Sequence, residues 1–297
     1  MKRLLSTLFI ILACLPSCTE SCAEQPTRPK VALVIGGGGA KGAAAVGALK
    51  YVEASGVPID MVVGTSIGAI VGGLYSVGYR SEQLDSMFRA QDWVSMGLGS
   101  LLGDSIVRTL RNMTNDSMAD PQMADSDRSM SDRRMTDYSN IRFDDLPVPF
   151  RCVAVDVKHQ REVVLKEGDL AQAMRASMAI PLVFKPVKMG GMLLVDGGVL
   201  NNLPVDVAKD MGADIVIAID LTVNQHEGKN LFLRPDLEKY HENLRQVDVY
   251  IHPHLKGYGA QDFTPQRIGE MIALGEEAGK AAEKDLKKLK KKLKKGK

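Results

Sequence analysis

The sequence predicts an α/β fold built around a mostly parallel sheet, and the stretch between Val31 and Val77 carries that prediction. A continuous apolar run, Val31-Ala32-Leu33-Val34-Ile35, is followed by a glycine-rich loop and a helical stretch over 43–54. A second apolar run over 60–63 is followed by another helical stretch that stops at Gly78. Continuous apolar runs are typical of strands buried on both faces, and strands that alternate with helices form a parallel sheet.

The later part of the chain supplies further strands and helices. Residues 152–157 and 162–165 predict a strand pair across a turn at His159-Gln160, which makes Cys152 a core residue. A helix is expected over 169–177. Three more strands and a final helix are predicted at 192–195, 214–219, 247–251 and from Thr264 onwards.

Between about 97 and 140 the hydrophobic pattern disappears. This segment is polar and of low complexity, and from Arg111 to Ser139 it is rich in Ser, Asp, Arg and Met. Such composition predicts a solvated, mobile insertion. The alternative is a lid whose methionines touch lipid, because methionine adapts to irregular apolar surfaces.

Composition and charge exclude several classes of protein. Hydrophobic residues make up 45% of the 297-residue chain and charged residues 25%, which is ordinary for a globular protein. Nine lysines and one aspartate give residues 284–297 a charge of +8, which leaves −6 for the rest of a chain whose total is +2. An acidic body argues against nucleic acid as a partner. The body contains one cysteine, Cys152, and no Cys/His cluster, so no metal or other cofactor is predicted.

The N-terminus has the features of an export signal over residues 1–22. Lys2 and Arg3 precede an apolar stretch over 4–15 that is too short to span a membrane. Leu15-Pro16-Ser17-Cys18 resembles a bacterial lipobox, which would make Cys18 a lipidated first residue. Ordinary cleavage near Ala23 is the competing interpretation. Either interpretation predicts an exported protein of the bacterial cell envelope.

The candidate nucleophile lies in Gly64-Thr65-Ser66-Ile67-Gly68, between a predicted strand and a predicted helix. A serine on such a turn has the form of a nucleophile elbow, in which backbone strain exposes the hydroxyl and the glycines permit close packing. The helix that follows points its first amides towards the serine oxygen. The competing interpretation is a plain Gly/Ser turn.

Upstream, the loop Gly36-Gly37-Gly38-Gly39-Ala40-Lys41-Gly42 admits two interpretations. It fits a dinucleotide-binding fingerprint, with Asp60 as the acidic residue, but Asp60 precedes the second strand instead of ending it. The loop lacks Gly-Lys-Ser/Thr and is therefore no P-loop. An oxyanion hole fits better, with donors from the amides of Gly37, Gly38, Gly39 and Ile67.

A nucleophilic serine needs a base, and the sequence offers two kinds. The order Ser66, Asp196, then His252 or His254 would match an α/β-hydrolase triad. Asp196 follows a short apolar strand and precedes two glycines, and successive strand ends of a parallel sheet lie along one crevice. A desolvated carboxylate there can act as the base without a histidine.

Taken together, these motifs resemble the patatin-like phospholipase family in its bacterial, exported form. The resemblance is carried by the glycine loop, the Ser66 elbow and Asp196-Gly197-Gly198, and by two later segments, Arg175-Ala176-Ser177-Met178-Ala179-Ile180-Pro181 and Asn201-Asn202-Leu203-Pro204. The residues that support the motifs are Gly36, Lys41, Gly42, Gly64, Gly68, Gly197 and Gly198.

The resemblance implies a three-layer α/β/α hydrolase domain over 30–265 and a Ser66–Asp196 dyad. It also implies that the glycine loop is the oxyanion hole and that the activity is hydrolysis of lipid acyl esters, of the phospholipase A or lysophospholipase type. The alternatives are a triad esterase and a non-catalytic domain that binds lipid or a dinucleotide.

A C-terminal helix and basic tail are predicted over 266–297. Leu286, Leu289 and Leu293 recur at helical spacing among the lysines of 284–297. One interpretation is a solvated helix end. The other is an amphipathic helix that binds anionic headgroups, so that the membrane surface is a partner through Cys18 and through this tail.

Overall fold

The computed structural model describes residues 28–90, 104–115, 137–222 and 237–295. The predicted signal peptide over 1–22 and most of the insertion over 97–140 lie outside the described residues. The predictions made for those positions, lipidation of Cys18 included, remain predictions.

The described residues form one large sheet and one small antiparallel pair. The main sheet consists of β1 (Val31–Ile35), β2 (Met61–Thr65), β4 (Phe150–Asp156), β5 (Arg161–Leu165), β7 (Val187–Met189), β8 (Met192–Asp196), β9 (Ile215–Ile219) and β10 (Val249–Ile251). The small pair consists of β3 (Ile141–Arg142) and β6 (Glu167–Gly168).

The strand order of the main sheet is β10-β9-β1-β2-β4-β8-β7, and β5 also pairs with β4. The five strands from β10 to β4 are parallel neighbours, whereas β4 pairs antiparallel with β5 and β8. The prediction of an α/β fold with a mostly parallel sheet is confirmed, and so is the strand pair across His159-Gln160.

The helices cover both faces of this sheet. They are α1 (Gly42–Ser55), α2 (Ile67–Ser76), α3 (Ser81–Ala90), α4 (Asp104–Asn115), α5 (Leu170–Ser177), α6 (Val205–Asp210), α7 (Leu237–Arg245), α8 (Pro265–Ala281) and α9 (Glu283–Lys295). In the part of the chain that the structure describes, no helix is long and apolar enough to cross a membrane.

Alternation along the strands creates two hydrophobic cores. In β1, Val31, Leu33 and Ile35 face the core that contains α1, α2 and α8. Ala32 and Val34 face the opposite core, beside α6 and the half-buried side chains of α7. A strand alternates its side chains between two faces, so full burial of β1 requires a helical layer on each side. Cys152 is fully buried as predicted, and burial raises the pKa of its thiol.

The predicted insertion contains a packed helix, which corrects the prediction for residues 104–115. Ile106 and Leu110 of α4 are buried in the main core, and Arg111 forms an ion pair with Asp169 at the start of α5. Ile106, Leu110 and Met113 recur at helical spacing and form one apolar stripe on the helix, which packs against α5. Because most of the surrounding residues are polar, the sequence pattern does not predict this helix.

The C-terminal part of the chain forms two helices that pack against the rest of the domain. A Cβ at Gly47 would clash with the Ile272 carbonyl, so the backbones of α1 and α8 touch and residues beyond 265 share the domain core. The chain then turns at Ala282 into α9, whose Leu286, Leu289 and Leu293 are buried. These leucines pack in the core and do not form a membrane-binding face, and the exposed side of α9 carries its lysines together with Asp285.

Candidate active site

Ser66 occupies the sharp turn between β2 and α2. Its backbone has φ 57° and ψ −124°, a left-handed conformation that is strained for any residue with a Cβ atom. A Cβ at Gly64 would clash with the Gly68 carbonyl, and a Cβ at Gly68 would clash with the Ile35 carbonyl. The two flanking glycines are thus required by close backbone packing, which holds the turn in its strained form.

The end of β8 brings Asp196 to this turn. β2 pairs with residues 150–153 of β4, whereas β8 pairs with residues 154–156. β5 occupies the other edge of β4, so β2 and β8 lie end to end on the same edge and meet at their carboxyl ends. Ser66 Oγ donates a hydrogen bond of 2.5 Å to Asp196 Oδ2.

Ser66 and Asp196 approach each other through a strand arrangement that differs from the one the sequence predicts. From the sequence, Asp196 is expected on a strand parallel to β2, with both residues in a crevice of parallel strand ends. β8 is antiparallel to β4, and the pair forms because two strands of opposite direction end at adjacent register positions, Val153 and Ala154.

The Asp196 carboxylate is almost completely buried. Ser66 and Asp196 are exposed by 5% and 6%. Burial raises the pKa of Asp196 from its ordinary value to about 6, against the opposing hydrogen bonds from Ser66 and from the Gly198 amide, which donates to Oδ1 at 2.7 Å. A carboxylate with this pKa is mostly ionised at neutral pH yet accepts a proton readily, as a general base requires.

Ser177 and Ala179 hold the backbone of Ser66 and Asp196 in place, a role that the sequence did not indicate. Ser177 Oγ accepts a hydrogen bond from the Ser66 amide at 3.0 Å and donates one to the Val153 carbonyl at 2.6 Å. The Ala179 carbonyl accepts the Asp196 amide at 2.9 Å. The contact between Ser177 and Ser66 joins residues 111 positions apart, so no local spacing could have predicted it.

The glycine loop lies beside Ser66, but its amides are not equivalent. The Gly37 amide donates to the Asn202 carbonyl at 3.1 Å, and Asn202 Nδ2 donates to the Gly37 carbonyl at 3.3 Å. The prediction that Gly37 is an oxyanion donor is therefore corrected, because its amide already has an acceptor. Among the described residues, the amides of Gly38 and Gly39 have none.

The remaining motif residues shape this loop and the approach to Asp196. Gly36 donates its amide to the Ile219 carbonyl, and the Lys41 amide donates to the Gly38 carbonyl at 3.3 Å. A Cβ at Gly42 would clash with Ile67, which begins α2, and one at Gly197 would clash with the Val153 carbonyl. Gly198 lies against Asn202 and supplies its amide to Asp196.

The residues of the alternative interpretations lie elsewhere. Asp60 accepts hydrogen bonds from Arg28 and from the Val31 amide at the amino end of β1, away from the glycine loop. His252 Nδ1 is 3.1 Å from the Asp220 carbonyl. Of the described histidines, none hydrogen bonds to Ser66 or Asp196. Across the described ranges, no group of three or more His, Cys, Asp or Glu residues could hold a metal ion.

Comparison with known proteins gives a consistent family. A sequence model of the patatin-like phospholipase family matches residues 33–209, which include Ser66 and Asp196. Patatin-like phospholipase domain-containing protein 7 of Mus musculus is 35% identical over 201 residues, covering 67% of this chain and 14% of that protein. An uncharacterized NTE family protein of Mycobacterium bovis is 32% identical over 203 residues, covering 66% of this chain and 50% of that protein.

A third relative is named for an activity. Lysophospholipase nte1 of Emericella nidulans is 32% identical over 191 residues, covering 64% of this chain and 12% of that protein. The chain thus spans half or less of the length of these three relatives.

Solved structures share the fold at low sequence identity. VipD from Legionella pneumophila superimposes with a TM-score of 0.56 and 14% identity, covering 88% of this chain and 67% of that chain. ExoU in its complex with SpcU from Pseudomonas aeruginosa gives a TM-score of 0.51 and 20% identity, covering 87% and 52%. These similarities concern the fold alone.

Proposed function

Because the chain belongs to the patatin-like phospholipase family, we propose that it is a serine hydrolase that cleaves acyl esters of phospholipids or lysophospholipids. The observation that carries the proposal is the buried 2.5 Å hydrogen bond from Ser66 to Asp196. A nucleophile and a base within hydrogen-bonding distance, held by packed strand ends, form the minimal apparatus of covalent acyl transfer.

In the first half of the proposed reaction, Asp196 Oδ2 accepts the proton of Ser66 while Ser66 Oγ attacks the ester carbonyl carbon. The carbonyl oxygen becomes an oxyanion, and the proposed donors to it are the amides of Gly38, Gly39 and Ile67. Removal of one such donor typically lowers kcat by about 10²–10³-fold. Collapse of the tetrahedral intermediate breaks the ester bond, and the leaving alcohol takes the proton from Asp196.

In the second half, water hydrolyses the acyl-enzyme. Asp196 removes a proton from the water, whose oxygen attacks the acyl carbon bound to Ser66. The fatty acid leaves and the proton returns to Ser66 Oγ, so the dyad is regenerated. Low exposure of both side chains favours this chemistry, since electrostatic contacts are stronger where bulk water is excluded.

A lipid-class panel tests the substrate. We expect purified protein to release fatty acid from phospholipids or lysophospholipids and the Ser66→Ala variant to release none above buffer, as measured by mass spectrometry. Equal release by both proteins would contradict the proposal. Binding of lipid without any release would favour the non-catalytic alternative.

We also propose that the protein is exported to the bacterial cell envelope and anchored to a membrane through Cys18. The support is the charged, apolar and lipobox sequence of residues 1–22. Metabolic labelling with palmitate should mark the wild type and leave the Cys18→Ala variant unlabelled. Label that persists in Cys18→Ala, or a wild type that takes up none, would contradict lipidation.

A further inference from the structure

The turn that follows α5 exposes apolar side chains to solvent. Leu182 is 91% exposed and Val183 is 39% exposed, and Leu182 has the highest exposure among the large hydrophobic residues described. Exposed apolar residues that stand together mark an interaction surface more often than isolated ones do.

Hydrogen bonds fix this turn in a single conformation. The Ile180 carbonyl accepts the amides of Val183 and Phe184 at 3.1 and 2.9 Å. Leu182 adopts a φ of 68°, a conformation that a leucine keeps only when its neighbours impose it. Arg175, 2% exposed, donates to the Lys185 carbonyl at 3.0 Å, and its guanidinium lies 5.2 Å from the centre of the Phe184 ring. Leu182 is therefore held outwards on a supported turn.

This turn is close to the candidate dyad. Ala179, whose carbonyl holds the Asp196 amide, precedes Leu182 by three residues, a distance of at most about 11 Å along an extended chain. On the other side of the turn, Val187 of β7 pairs with Leu194, two residues before Asp196. A surface that Leu182 touches would thus lie beside the candidate dyad.

The charge of the segment is positive. Residues 177–195 contain two lysines, Lys185 and Lys188, and no acidic residue. Both lysines are exposed. Apolar residues at the tip with lysines behind them match the layering of an anionic bilayer, in which acyl chains lie beneath phosphate groups.

The lysine-rich helix α9 lies beside the end of α1 that is remote from Ser66. A Cβ at Gly56 would clash with Lys290 Nζ, and Gly56 caps the C-terminal end of α1. Gly42 at the other end of α1 packs on Ile67, next to Ser66. The 14 residues of α1 separate these ends by about 20 Å. Contact through α9 alone would therefore not bring lipid to Ser66.

We propose that residues 181–188, which we term the docking turn, bind an anionic lipid bilayer, with Leu182 and Val183 in its apolar layer and Lys185 and Lys188 at its phosphates. The proposal rests on the proposed lipid substrate. Docking in this way would place the candidate dyad at the surface from which substrate is withdrawn.

Vesicle co-sedimentation tests the docking turn. All proteins would carry Cys18→Ala, so that an acyl anchor cannot mask the effect, and the vesicles would contain phosphatidylcholine with phosphatidylglycerol. Leu182→Asp should weaken vesicle binding by at least about tenfold, because it removes the burial of one leucine side chain. Val183→Asp, in the same turn, should also weaken it. Leu237→Asp is the matched control, since Leu237 is 41% exposed on α7.

Hydrolysis assays separate this proposal from the proposed function. Leu182→Asp should reduce hydrolysis of vesicle lipid in step with binding while leaving turnover of a soluble short-chain aryl ester unchanged. The combination Lys185→Gln and Lys188→Gln should remove the preference for phosphatidylglycerol. Wild-type binding by Leu182→Asp, an equal loss in Leu237→Asp, or failure of the parent to bind vesicles would each overturn the docking turn. Vesicle binding without hydrolysis of lipid or ester would instead contradict the proposed function.

Discussion

Replacement of Ser66 by alanine should reduce kcat/KM for a soluble aryl ester by at least about 10³-fold, to a level set by binding and oxyanion stabilisation alone. The reason is that the hydroxyl is the only group removed. The hydrogen bond to Asp196 is lost, but the strained turn is determined by the close packing of Gly64 and Gly68 and stays in place.

Ser86→Ala is a suitable control for this prediction. Ser86 is an exposed serine on α3 whose hydroxyl bonds the Glu82 carbonyl, and its loss should not change turnover. Circular dichroism of both variants would check that the fold is intact. Retention of more than a tenth of wild-type activity by Ser66→Ala would remove Ser66 from the mechanism.

Substitution of Asp196 by asparagine should lower kcat by about 10²–10⁴-fold, the usual contribution of a general base. Asparagine keeps the shape of the side chain and can still accept the Gly198 amide, but it cannot take a proton from Ser66. The double variant His252→Ala and His254→Ala should keep most of the activity, since no described histidine contacts the pair. Loss in the histidine variant with retention in Asp196→Asn would establish the triad alternative.

Asp196→Asn should not destabilise the protein at pH 8. The pKa of Asp196 rises from 3.8 to about 6 on folding, so the folded state binds the proton more tightly than the unfolded state. The stability that protonated Asp196 contributes is fully present below pH 3.8 and is lost as the pH rises through about 6. Above that pH the buried charge costs up to about 3 kcal/mol, which the neutral asparagine avoids. Urea unfolding should therefore give Asp196→Asn a free energy of unfolding equal to or above that of the wild type.

The pH profile follows from the same pKa. The base must be ionised to accept the Ser66 proton, so kcat/KM of the wild type should rise as the pH increases through about 6 and then level off. The residual activity of Asp196→Asn should lack this rise. If kcat/KM instead rises only at a pH well above 7, a group other than Asp196 accepts the Ser66 proton.

Much of the fold and the candidate site could be predicted from sequence because the relevant signals are local. Apolar runs define β1, β2 and β9, and the glycines of the elbow record backbone contacts that exclude any Cβ. The pairing of Ser66 with Asp196 was also predicted, although from an incorrect strand direction. Direction depends on how β4 pairs with β8, and neither strand encodes its partner in its own pattern.

The features that sequence analysis missed depend on contacts between distant segments. The Gly37 amide donates a hydrogen bond to the Asn202 carbonyl, and the Ser66 amide donates one to Ser177 Oγ at the end of another helix. The leucines of α9 look like a membrane face until α1 is placed against them. In each case the contacting residue lies far away in the sequence, so only tertiary packing reveals the contact.

The most direct test of the account is labelling with a fluorophosphonate, which reacts with an activated serine and releases fluoride. Peptide mapping by mass spectrometry should locate the adduct at Ser66 in the wild type. The variant Ser66→Ala should give no adduct, and Asp196→Asn should react far more slowly while remaining folded. An unreactive wild-type protein with an intact fold, or an adduct on a different serine, would contradict the claim that Asp196 activates Ser66.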